Sequence, residues 1–142
     1  MFEKIVLAVD GSEWSEAAVD AAIGFAGKAG AEVEVVHVQE HDVIYSKGYA
    51  PDLETVEEAA TLVTRTVDRL REKGVPAHGT VRKAPTCQVP QEIIDAATEI
   101  GADLIVVGSR RLTGFPSMLL GSVSNKLIHA AGRAVLVSHK RE

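Results

Sequence analysis

The residues best suited to chemistry lie in Gly108–Ser124, which reads Gly-Ser-Arg-Arg-Leu-Thr-Gly-Phe-Pro-Ser-Met-Leu-Leu-Gly-Ser-Val-Ser. The chemistry they suit is phosphate binding. Glycines let backbone N–H groups come close to an anion, and a helix start adds unsatisfied donors with a partial positive charge. Arg110 and Arg111 add side-chain cations, and Ser122 and Ser124 offer hydroxyls. Turn geometry and helix capping use the same residue types, so spacing alone leaves that plainer reading open. The sequence has no G-x-x-x-x-G-K-[ST] and no G-x-G-x-x-G after its first strand, which excludes a Walker loop and a dinucleotide fingerprint.

A second turn, Asp10-Gly11-Ser12, places an acid at the end of an apolar run. Asp10 either caps the following helix or faces a ligand, as strand-end acids at a winding reversal do. No acid pair, Ser-His-Asp set or Cys-His pair stands at a recognisable spacing. His37 and His41 are four apart, but in a strand they share no helical face, so a metal is not expected there. Cys87 reads as a small residue near a helix start, and Trp14 as an aromatic packed on its own first turn.

These turns need elements to position them. Lys4–Val9 is a nearly continuous apolar run, as in a strand buried on both faces. Ser12 then caps a helix whose apolar face is Ala18, Ala21, Ala22, Phe25 and Ala29, and Gly30 ends it. Val33–Val38 is the second strand. The stretch Gln39–Pro51 has no period and reads as a long connection, of a length that is often functional. Asp52 is the expected cap of a second helix with the stripe Leu53, Val56, Ala60, Val63, Val67 and Leu70.

Ala77–Arg82 is a weak, edge-like strand followed by a loop over Lys83–Gln88. Val89, Ile93, Ala97 and Ile100 mark a third helix, with Pro90 in its first turn and Gly101 at its end. Leu104–Val107 is the fourth strand. The glycine loop, a helix from Ser122 to Ala131 (Val123, Leu127, Ile128, Ala131) and the strand Ala134–Ser138 complete the chain. Strict alternation predicts one α/β domain over residues 1–142, a doubly wound five-stranded parallel sheet with helices on both faces. In the order 3-2-1-4-5 the winding reverses between the first and fourth strands, and both glycine turns follow those strands into one crevice.

The net charge of −5 argues against a generic nucleic-acid surface. A single cysteine excludes an internal disulfide. The sequence shows no signal peptide and no membrane span, and a cytoplasmic protein is expected.

Ala8-Val9-Asp10-Gly11-Ser12, Ala102-Asp103-Leu104-Ile105-Val106-Val107-Gly108-Ser109 and Gly121-Ser122-Val123-Ser124 resemble the universal stress protein family, in order and over essentially the whole chain. ATP-binding members of that family carry G-x2-G-x9-G-[ST] after strand four. Gly108, Arg111 and Gly121-Ser122 reproduce the spacing, with arginine in place of the second glycine. The resemblance implies that Asp10 meets the ribose or a metal-bound phosphate and that the backbones around Ala8, Val9 and Val38 border adenine. It further implies that Gly108, Gly121, Ser122, Val123 and Ser124 hold phosphates. Arg111 departs from the family pattern, and its side chain, beside that of Arg110, offers the phosphates a cation where the family has a glycine. ATP, with Mg²⁺, is the implied cofactor, and a homodimer joined through the last strand the implied assembly.

The expected function is thus that of an ATP-binding stress-response regulator or ligand-gated partner. Without a Walker lysine or a base for water activation, hydrolysis is slow at most. Two other readings stay open: a nucleotide-free interaction module, and an adenylating enzyme, which would need a second catalytic site that the sequence does not display.

Overall fold

The computed structural model describes residues 2–41, 54–109 and 122–140. Expectations that rest on residues 42–51 of the long connection, on Asp52 and Leu53, and on Arg110, Arg111 and Gly121 lie outside those residues. Strand and helix alternate: β1 (Lys4–Ala8), α1 (Glu13–Ala29), β2 (Glu32–His41), α2 (Val56–Glu72), β3 (Ala77–Pro85), a 3₁₀ turn (Thr86–Gln88), α3 (Val89–Ile100), β4 (Leu104–Gly108), α4 (Ser122–Ala130) and β5 (Ala134–Ser138). The strands form one parallel sheet in the order β3-β2-β1-β4-β5. The predicted α/β architecture and strand order are therefore what the chain adopts.

Alternation of side chains along the central strands splits the core in two. Ile5, Leu7, Val33, Val35, Leu104 and Val106 point to the face covered by α1 and α2. Val6, Ala8, Val36, Val38, Ile105 and Val107 point to the face covered by α3 and α4. Ile5, Leu7 and Ile105 are wholly removed from solvent, each worth roughly 1.5–3 kcal/mol of transfer free energy. Small Ala18, Ala22 and Ala26 form the buried line of α1 and let it lie close to β1 and β4.

Some boundaries differ from the sequence reading. β2 continues through Gln39, Glu40 and His41, and β3 through Lys83, Ala84 and Pro85, because these residues pair with one another in register. A ladder of backbone hydrogen bonds is indifferent to the polarity that made both stretches read as loops. The side chain of Thr55 caps α2, accepting from Glu58 N–H at 3.0 Å. The buried face of that helix is Ala59, Leu62, Val63, Thr66, Val67 and Leu70, so the stripe is rotated from the one expected and leaves Val56 and Ala60 exposed. Ile128 of α4 and Ala29 of α1 are likewise exposed.

Arg82 fastens β3 to α3. Its Nε donates to Glu92 at 2.9 Å, and its two terminal nitrogens donate to the two Glu99 oxygens at 2.8 and 3.1 Å. The hydrogen bond from Arg82 is the main reason the Glu99 carboxyl is held below the usual carboxylate range, and the same bond raises Arg82 above its ordinary value.

Candidate functional site

The winding reverses between β1 and β4, so the crevice expected of such a sheet opens at their carboxyl ends. Three hydrogen bonds shape the turn after β1. Asp10 N–H donates to the Ser15 hydroxyl at 3.3 Å, Ser12 N–H to Asp10 Oδ1 at 2.9 Å, and Ser15 N–H to the Ser12 hydroxyl at 3.3 Å. Gly11 between them has φ +82°, a backbone conformation that favours glycine. The two readings of Asp10 are thereby resolved in part. Ser12 caps the helix, and Asp10 braces Ser12 while its carboxylate stays at the exposed rim.

Gly108 closes the other wall. A Cβ built there would lie 2.2 Å from the Trp14 carbonyl oxygen, so only glycine lets the first turn of α1 settle against the end of β4. This packing against Trp14 is a further demand on Gly108, beside the turn geometry and phosphate contact expected of it. Its carbonyl accepts from the Ser124 hydroxyl at 2.8 Å, which sets the first turn of α4 over the same strand end. Ser124 is buried. Its single hydroxyl proton is directed at Gly108, so towards an anion its side chain has none left to donate. Val123 is half-buried, and Ser122 opens the helix. Ser109 N–H continues the sheet by donating to Ser138 C=O at 2.9 Å.

On the β2 side, even-numbered residues direct their backbone groups at β1: Glu32 N–H donates to Glu3 C=O, and Val36 C=O accepts from Val9 N–H, both at 3.0 Å. Val38 follows the same alternation. Its N–H and C=O point to the β1 side one step beyond that last ladder bond, above the buried Ala8 and Val38 side chains. The structure thus brings together Ala8, Val9, Asp10, Val38, Gly108, Val123 and Ser124, with Ser122 at the helix start. Arg110, Arg111 and Gly121 lie outside the described residues.

His37 is the residue that sequence reasoning weighed only as a metal ligand. It is buried, with Nδ1 2.7 Å from Val9 C=O and Nε2 in contact with the Glu54 carboxylate. A histidine inside a valine run was the available signal. A shallow hollow of about 650 Å³ on the outer face of α2, beside Thr64 and Asp68, shares no residue with the crevice.

Residues 1–139 match the Universal stress protein family. The chain belongs to that family. Universal stress protein YxiE of Bacillus subtilis is 33% identical across 96% of this chain and 99% of its own length. A universal stress protein of Archaeoglobus fulgidus, solved in complex with dAMP, superposes with a TM-score of 0.71 at 26% identity, covering 97% of this chain and 98% of its own. A universal stress protein solved in complex with cAMP has the same fold, with a TM-score of 0.72 at 22% identity over 99% of this chain and 98% of its own. Among the described residues of this universal stress protein, no helix is long and apolar enough to cross a membrane.

Proposed function

We propose that the protein binds an adenine nucleotide, ATP with Mg²⁺, between the carboxyl ends of β1, β2 and β4, and that occupancy regulates a protein partner in a cytoplasmic stress response. The observation that carries this reading is the meeting of three features at the winding reversal: the braced Asp10 turn, the β1-facing backbone of Val38, and the start of α4 seated on Gly108. An N–H and a C=O side by side on Val38 match the acceptor and amino donor along one edge of adenine. Asp10 at the rim suits a ribose hydroxyl or a hard oxygen-seeking cation. The α4 N-terminus suits phosphate, with Gly121 and Ser122 supplying backbone donors and Arg110 and Arg111 supplying charge. The relative solved with dAMP supports a purine nucleotide as the ligand class.

Mg²⁺ would offset phosphate charge. The chain's own residues would hold the base, brace the sugar and cradle the phosphates. The same reading joins two copies through β5.

Mass spectrometry of ligand released from protein purified without added nucleotide tests the reading, followed by calorimetry with ATP, dAMP, cAMP and adenosine. ATP should bind more tightly than adenosine, and Arg111→Ala should narrow that difference, because adenosine has no phosphate for a cation to meet. Absence of released nucleotide together with no binding heat for any of the four ligands would overturn it and favour the nucleotide-free module.

A further inference from the structure

His37 lies on the face of β2 that packs beneath α1 and α2, and it joins three elements at the rim of the crevice. Its Nδ1 is 2.7 Å from Val9 C=O; a carbonyl only accepts, so Nδ1 carries the proton and donates it. Its Nε2 meets Glu54, the residue just before the Thr55 cap of α2. Gln39, two residues along β2, donates from Nε2 to Glu54 C=O at 3.0 Å and holds that residue from a second side.

The backbone consequence follows from the strand pattern. The step after the Val9 N–H to Val36 C=O bond in a regular parallel ladder would be Val38 N–H donating to Val9 C=O. Among the described residues, the backbone bonds between these strands end one step earlier, and the imidazole occupies the Val9 carbonyl instead. We infer that His37 is the positioning residue of the candidate nucleotide site: by taking the Val9 carbonyl it keeps the Val38 N–H out of the ladder and turned to the ligand. Through Glu54 it also makes the start of α2 part of the same support. This inference rests on the nucleotide reading above for the identity of the ligand, and on the ladder alone for the role of the ring. A buried N–H left out of a sheet calls for an acceptor, and a heteroaromatic ring nitrogen is such an acceptor.

The two amide replacements of histidine separate the two arms of the ring. An asparagine amide reaches the position of Nδ1, and a glutamine amide that of Nε2. His37→Asn therefore keeps the donor to Val9 and loses Glu54, whereas His37→Gln keeps Glu54 and releases Val9. Amide hydrogen exchange of the ligand-free protein is the first measurement. In wild type and His37→Asn, Val38 N–H should exchange at least about tenfold faster than Val36 N–H, whereas in His37→Gln it should become protected as the ladder bond closes.

Calorimetry with ATP and dAMP is the second. His37→Asn should stay within about threefold of wild type, and His37→Gln should lose about tenfold or more. Equal Val38 exchange and equal affinity in the two variants overturn the inference, as does a wild-type Val38 N–H protected like that of Val36. A wild type that binds no adenine nucleotide overturns the nucleotide reading, and the exchange comparison, made without ligand, still decides whether His37 holds the strand end open.

Discussion

The Ser124 hydroxyl and the Gly108 carbonyl meet at 2.8 Å, joining the first turn of α4 to the last residue of β4. The bond is buried on the serine side. It sets where the amino end of α4 points, and with it any phosphate donors there. Ser124→Ala should destabilise the protein by about 1–2 kcal/mol, the cost of a lost hydrogen bond that leaves a carbonyl short of a partner. Ser124→Thr keeps the hydroxyl and should retain most of the stability. Urea denaturation of the three proteins checks this. Equal stabilities would mean that the hydroxyl holds nothing.

Gly108 is under a different constraint. Its missing Cβ is what allows the Trp14 carbonyl to approach, and backbone cannot swing aside as a long side chain can. Gly108→Ala should cost about 1–3 kcal/mol through overpacking and should disturb the amide resonances of the α1 first turn, Glu13 to Glu16, more than those of α3. A folded Gly108→Ala protein with unshifted α1 amides would show that the contact relaxes at no cost.

Stability in acid should report on the Arg82–Glu99 pair. The Glu99 carboxyl is lowered in the folded protein, chiefly by the Arg82 hydrogen bond. A lowered acid contributes stability that is present above its unfolded value and lost as pH falls through its folded value. Wild type should therefore exceed Glu99→Gln in stability at neutral pH, and the gap should shrink as pH drops below the ordinary glutamate range towards about pH 3. Because Glu99 is largely exposed, the gap should be small and should narrow further in high salt. Denaturation series at several pH values measure it. A gap independent of pH would remove the pair from the acid response.

Elements defined by local signals were the most legible in the sequence. Ser12 and Gly30 bracket α1 as read, and Ala134–Ser138 is β5 as read. Turn residues after β1 and β4 were legible as well, but alternation specifies only a parallel sheet; it is the order β3-β2-β1-β4-β5 that places those turns side by side at one crevice. What stayed hidden depends on partners distant in the chain. The Val9 and Glu54 contacts of His37 come from elements on either side of β2, and no spacing rule joins residues 9, 37 and 54. The packing need at Gly108 is set by Trp14, a residue on another element. The rotated face of α2 arose because Val56, Ala60, Val63 and Val67 satisfy helical spacing as well as Ala59, Leu62, Val63 and Thr66 do. Only the sheet beneath distinguishes the two sets.

Pairing of two copies through β5 is the last expectation to test, and the two edges of the sheet differ in a way that favours this one. On β3, the outward-facing carbonyl of Ala77 accepts from Arg71 Nε at 2.9 Å, and Pro85 at the end of the same edge lacks an N–H. Both features blunt an edge against further pairing. On β5, Ser138 C=O faces β4, where it accepts from Ser109 N–H, so alternation turns the backbone groups of Val135 and Val137 outward. Val135, Leu136 and Val137 are only half-buried in the single chain. An apolar strand of this kind is a template for a second copy across a twofold axis, which gives a closed contact. Val137→Lys should place charge in that contact and raise the dissociation constant at least about tenfold, near 1.4 kcal/mol. Val137→Pro, which removes one outward donor without adding charge, should act in the same direction. Light scattering coupled to size exclusion reads the mass. Wild type that runs as a monomer at micromolar concentration, or two variants that stay dimeric, would show that β5 remains an open edge.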